Sequence, residues 1–379
     1  MNFRNFTNLF PLLIVCLSTF FATSCKDEIT EPLTSILTKD NIAKLEAAAD
    51  NVMMSSQTPG LMAYISVEGE GEGLSITRGV SNLVTSEPMN INNYFRIGSI
   101  TKTITAEAVL ILADEGKIDL NKSISFYLPE LNIPSGDKIT IRMLGNMTSG
   151  LYNYTDGDDF WTPLLASNGQ QVLTAEQDLA LAFSHPMLSE PGTQYYYCNT
   201  NFLLLGSLIK KVTGKPVIDV FNEKIFQPLG MKHTFWPNTR YLPYPYNHGY
   251  SLLDLTNTLT DVTNWDPTWG DAAGILVSNF FDLKIWAKEL HERKLLSEKM
   301  KSERYAWVNA DTRDVKYSGF GLEKIYDWIG HPGSIPGSNS EIWYNTVTKT
   351  TVIINTNSID GAPADFAFYL FFQILSPLK

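Results

Sequence analysis

A chain of 379 residues with 44% hydrophobic content is globular and can bury a large core, as one big domain or as two lobes. Its formal charge of −11, with no clustered Lys/Arg run, argues against a nucleic-acid partner, because phosphate binding needs a basic surface. Cys16, Cys25 and Cys198 are the only cysteines, and the five histidines show neither HExxH nor Cys/His spacing, so no disulfide framework, metal site or cofactor is expected.

The chain opens MNFRNFTNLFPLLIVCLSTFFATSC, with a positive charge at Arg4, an apolar stretch from about Leu9 to Phe21, and small residues before Cys25. That is an export-signal pattern, and the apolar stretch is short for a membrane span. Ala22-Thr23-Ser24-Cys25 resembles a bacterial lipoprotein cleavage site, which would make Cys25 the lipidated first residue after removal of residues 1–25 as a signal. The expectation is an exported lipoprotein attached to a membrane, in the periplasm or at the cell surface, with residues 26–37 as a polar tether.

The run DNIAKLEAAADNVMMSS then reads as a helix, with Asp40 as its N-cap and Pro59-Gly60 as its stop. LMAYISVEG and GLSITRGV read as a hairpin around the Gly-rich turn at Gly69 to Gly73. From Ser99 to about Gly230 the period is mostly helical. Strand patterns return in YSGFGLEKIYDWIG, SEIWYNT and KTTVIINTN, before a last helical run from about Ala364 to Leu375. That run is too short to span a bilayer and should pack on the sheet. Strands at both ends with helices between them predict an α+β fold over residues 38–379. Its antiparallel sheet lobe would comprise about 38–95 and 310–379, its helical lobe about 96–309, and the site should lie between the lobes.

Ser-x-x-Lys occurs four times, as Ser99/Lys102, Ser135/Lys138, Ser207/Lys210 and Ser376/Lys379. Ser135 sits in the turn PSGDK, Ser376 precedes Pro377, and Ser207 follows LLLG within a helical run, where its hydroxyl would bond the preceding turn. Ser99 alone both follows a glycine, Gly98, and opens a helix-patterned run. Residues i and i+3 share a helix face, so Lys102 can reach the Ser99 hydroxyl, and the helix start favours negative charge there. A serine needs such a base to become a nucleophile, and a lysine serves when desolvation lowers its pKa. Two further patterns follow in order: Tyr197 and Asn199 in Y-x-N, then His331 and Gly333 in H-x-G between predicted strands.

Ser-x-x-Lys, a polar triplet in the helical lobe, and a His two residues before a Gly on a strand resemble the motif set of the penicillin-recognising serine enzymes. The resemblance covers about Asn41 to Ser358 and is to the branch of D-alanyl-D-alanine carboxypeptidases, class C β-lactamases and related esterases. It implies a β-lactamase/transpeptidase-like fold, Ser99 as the acylated nucleophile, Lys102 as its base and Tyr197 as a proton relay. Asn199 would orient Lys102 and bond a substrate amide, while His331 would stand for the strand cation of the third motif. Backbone N–H groups of Ser99 and Ser334, beside Gly333, would form the oxyanion hole, where one donor is typically worth about 3–4 kcal/mol. Trp269 resembles an aromatic wall of the substrate pocket. The pattern departs at Pro332, where a Thr is usual, at Met147 and Cys198, and at Glu323-Lys324, where carboxypeptidases keep an Arg for the substrate carboxylate. The resemblance implies a serine hydrolase needing no cofactor. Its expected substrates are peptidoglycan or other D-amino-acid peptides, with β-lactamase, carboxylesterase and non-catalytic penicillin binding as alternatives.

Overall fold

The computed structural model describes residues 35–252, 258–310 and 317–376. The export segment, Cys25, most of the tether and Lys379 lie outside the described residues.

Two chain ends meet in the middle of one antiparallel sheet. The early strands are β1 (Gly60–Val67), β2 (Leu74–Asn82) and the two-residue β3 (Glu87–Pro88). The late strands are β4 (Val308–Asn309), β5 (Tyr317–Gly319), β6 (Leu322–Ile325), β7 (Trp328–Ile335), β8 (Ser338–Asn345) and β9 (Thr350–Thr356). The order across the sheet is β3-β2-β1-β9-β8-β7-β6-β5-β4, and the first and last long strands pair with Leu61 opposite Thr356 and Val67 opposite Thr350.

Helices cover both faces, which is why every residue of β8 and β9 is buried and the apolar pattern there runs on instead of alternating. On one face lie α1 (Lys39–Ser55) and the last helix, α6 (Pro363–Leu375), packed through Leu45, Ala49, Val52, Phe368 and Phe371. Trp343 of β8 stacks on Phe368 at 4.9 Å between centroids. A fully buried side chain of this size contributes about 1.5–3 kcal/mol. The apolar run near the end of the chain is therefore a sheet-packing helix, as its length predicts.

The helical lobe covers the other face, with α2 (Thr101–Asp114), α3 (Asn199–Thr213), the one-turn α4 (Asp271–Gly274) and α5 (Phe280–Glu292). Residues Thr101 to Leu112 of α2 are all buried, polar ones included. Glu107 is paired with the buried Arg304, which also donates to the Thr103 carbonyl at 3.0 Å, and Trp286 Nε1 donates to Thr103 Oγ1 at 2.7 Å. These contacts clamp the helix that carries Lys102 and follows directly on Ser99.

One boundary differs from the sequence reading. Thr38, not Asp40, caps α1, its Oγ1 accepting from Asn41 N at 3.1 Å. Ahead of it the Ile36 and Leu37 N–H groups donate to the Glu70 carboxylate at 2.7 and 2.9 Å, which ties the start of α1 to the turn between β1 and β2.

Candidate active site

Gly98 makes the site's geometry possible. Its φ is +50°, and a Cβ there would stand 2.8 Å from Ser334 N, so only glycine lets the turn before α2 lie against β7. Gly333 does the same from the other side, since a Cβ on it would meet the Ile97 carbonyl at 2.1 Å. The two bring the backbone of Ser99 and Ser334 to one corner. Ser338 Oγ secures the approach by donating to the Arg96 carbonyl at 2.7 Å.

Ser99 is the middle residue of the short 3-10 turn Gly98–Ile100 that leads into α2, and Lys102 lies one turn on, fully buried. Lys102 Nζ sits 2.9 Å from Ser99 Oγ and donates to the Ala273 carbonyl of α4 at 2.8 Å. Tyr197, just before α3, donates its hydroxyl to Ser99 Oγ at 2.7 Å. Its ring also lies 5.0 Å below the ammonium of Lys102. His331 of β7 is buried, with its ring centroid 6.1 Å from that of Tyr197. Ser99, Lys102, Tyr197 and His331 are thus brought together from positions spread over much of the chain.

Electrostatics sets their protonation. Burial lowers the Lys102 amine to about 7, with Glu323 and then Cys198 pulling weakly the other way. Burial likewise lifts the Tyr197 phenol well above its ordinary value, so it remains a donor at working pH. His331 is pushed down to about 3, first by burial and then by the charge of Lys102. Its imidazole is neutral, and its 3.7 Å approach to Glu323 is no ion pair. The Nδ1 hydrogen lies against the Pro332 carbonyl at 2.6 Å.

Other expectations are corrected. Asn199 does not hold Lys102: its Nδ2 donates to Thr155 Oγ1 at 2.9 Å, and its own N–H donates to Asn153 Oδ1. Lys324 does not face the cleft, because its ammonium lies over the rings of Trp307 and Tyr317, at 5.6 and 6.0 Å. Trp269 is 8% exposed and packs edge-on with Phe160 and Trp161, which makes it a packed indole instead of an open wall. The Ser334 hydroxyl accepts from Asn339 Nδ2 at 3.0 Å. Cys198 is a buried thiol raised to about 11 by burial, within sulfur hydrogen-bond range of the Leu151 carbonyl. The competing Ser207 donates to the Leu203 carbonyl at 3.0 Å, as its helical setting predicts.

Two contributors were not evident from the motifs. The Ala273 carbonyl, which fixes Lys102, leaves no side-chain signal in sequence. Glu323, one residue before Lys324, sets charge near Lys102; an acid on the strand preceding H-x-G is the signal that marks it.

Comparison with known proteins agrees with this geometry. A family profile described as Beta-lactamase matches residues 41–370. Penicillin-binding protein 4* of Bacillus subtilis (strain 168) is 27% identical over 303 residues, 74% of this chain and 65% of that protein, so the chain spans less than two thirds of its relative's length. Among solved structures, a D-stereospecific amidohydrolase from Streptomyces sp. is similar with TM-score 0.78 and 30% identity, covering 88% of this chain and 98% of that one. D-amino acid amidase from Ochrobactrum anthropi SV3, complexed with L-phenylalanine amide, gives TM-score 0.75 and 25% identity, covering 87% and 98%.

Proposed function

The chain belongs to the beta-lactamase family and is a serine hydrolase of it, and on that premise we propose that it cleaves the amide bond of D-amino-acid amides and short D-peptides. In this reading Ser99 is the nucleophile. Above pH 7 the neutral Lys102 amine accepts the Ser99 hydroxyl proton across their 2.9 Å contact. A bond forms from Ser99 Oγ to the substrate carbonyl carbon while the N–H groups of Ser99 and Ser334 receive the oxyanion. The C–N bond then breaks, and the leaving nitrogen takes its proton from the Tyr197 phenol, which Lys102 replenishes. Water, deprotonated by the same pair, releases the acyl group and restores Ser99.

The observation that carries the substrate choice is the placement of Lys324. A carboxypeptidase grips the substrate's terminal carboxylate with a cation, and here that cation is turned onto Trp307 and Tyr317. A substrate without a terminal carboxylate suits such a cleft better. The test compares D-phenylalanine amide, L-phenylalanine amide, an N-acylated D-Ala-D-Ala peptide and p-nitrophenyl acetate. D-amide should be hydrolysed with the highest kcat/KM, and Ser99→Ala should abolish turnover while the fold stays intact. Faster release of D-alanine from the peptide would return the enzyme to the carboxypeptidases, and turnover of the ester alone would make it an esterase. We further infer that Cys25 carries lipid and anchors the enzyme at a bacterial membrane; Cys25→Ser should then remove metabolic palmitate labelling.

A further inference from the structure

Asp271 of α4 lines a pocket of about 240 Å³ whose wall includes none of Ser99, Lys102, Tyr197 and His331. It is lined by Asp271, Glu176, Lys210, Trp236, Val217 and Ile275, with Ser207 of the unused Ser-x-x-Lys match also on its wall. Nothing in the hydrolytic mechanism uses these groups. Trp236, Val217 and Ile275 give the pocket an apolar lining, and Asp271, Glu176 and Lys210 give it charge.

Asp271 is unusual in its backbone as well as in its setting. It has φ +33° and ψ −140°, a conformation that non-glycine residues avoid unless the surroundings impose it. One carboxylate oxygen accepts from Ala272 N at 2.6 Å. Burial raises its pKa to about 6, with Glu176 adding to the rise and Lys210 opposing it, so all three feel each other's field. Behind it Asp178 is 2% exposed, and its Oδ2 has no hydrogen-bond partner among the described residues. Asp178 is itself pushed to about 8, first by burial and then by Asp271. Asp178 therefore keeps its proton and stands outside the lining, while the pocket wall itself carries two carboxyl groups, Asp271 and Glu176, against one ammonium, Lys210.

We propose that this pocket binds a small primary amine with an apolar or aromatic body, of the amino-acid class. Its ammonium lies against Asp271 and Glu176, and any carbonyl or carboxylate it bears points to Lys210. The inference is independent of what Ser99 hydrolyses. It bears on catalysis because α4 forms part of the wall: Asp271 starts the helix, and the carbonyl of Ala273, two residues further on, holds Lys102.

Calorimetric titration of the Ser99→Ala protein with phenethylamine, D-phenylalanine and 3-phenylpropionate tests it without any turnover. Both amines should saturate one site and the amine-free acid should not bind. Asp271→Asn and the exposed Glu176→Gln should each weaken both amines about tenfold, and Lys210→Ala should weaken D-phenylalanine but not phenethylamine. Glu176→Gln lies on the surface and keeps the fold if Asp271→Asn does not. Absence of saturable amine binding, or amine binding that Glu176→Gln leaves unchanged, would overturn the proposal.

Discussion

In the proposed mechanism Lys102 is the residue whose state decides the rate. Its amine must be neutral to take the Ser99 proton, and burial sets that change at about 7. The kcat/KM of the enzyme should therefore climb with pH and level off above about 7, with a single ionisation on the acid side. His331, held neutral down to about 3, adds no second step in that range. Glu323 raises the Lys102 pKa through its negative charge, so Glu323→Gln should move the acid limb to lower pH. A limb that stays in place in this variant would show that Glu323 does not act on Lys102. That Ser99, of the four serines, would sit against its lysine and Tyr197 was readable because its neighbours are specific: a glycine before it, a helix after it, and the Tyr197 and His331 patterns in order. The partners of Asn199, Lys324 and Trp269 were not readable, since each is settled by a ring or side chain from another part of the chain, which spacing does not encode.

At the level of elements, α2 is held by charge as well as by apolar contact. Glu107 and Arg304 are both fully buried, and burial raises the Glu107 carboxyl to about 7 in spite of its partner. Removing one member leaves the other without compensation. Arg304→Ala should cost about 3–5 kcal/mol in urea unfolding, whereas the joint replacement Glu107→Leu with Arg304→Met should recover most of it. A single-variant loss below 1 kcal/mol would mean that the pair contributes little. Strands and long helices were legible from period and turn residues alone, because apolar spacing follows burial. The polar start of β8 hid its depth: Ser338 and Ser340 are buried and satisfied by Asn355 Nδ2, at 2.9 and 3.1 Å, a partner that lies across the sheet. The helix start at Thr38 was missed for a local reason, since Thr38 and Asp40 both qualify as caps and only the backbone angle separates them.

For the whole molecule, the antiparallel sheet from both termini follows from strands at the two ends with helices between, and the structure has that form. The 240 Å³ pocket had no counterpart in the pattern, because Glu176, Lys210 and Asp271 converge only once three helices have packed. The pairing of β1 with β9 has one further consequence. A ribosome that has made Ser99, Lys102 and even Tyr197 has made neither β7, which carries His331 and Ser334, nor β9, the partner of β1. The hydrolysis proposed above therefore awaits the later strands, and a chain broken off after Tyr197 would be inert.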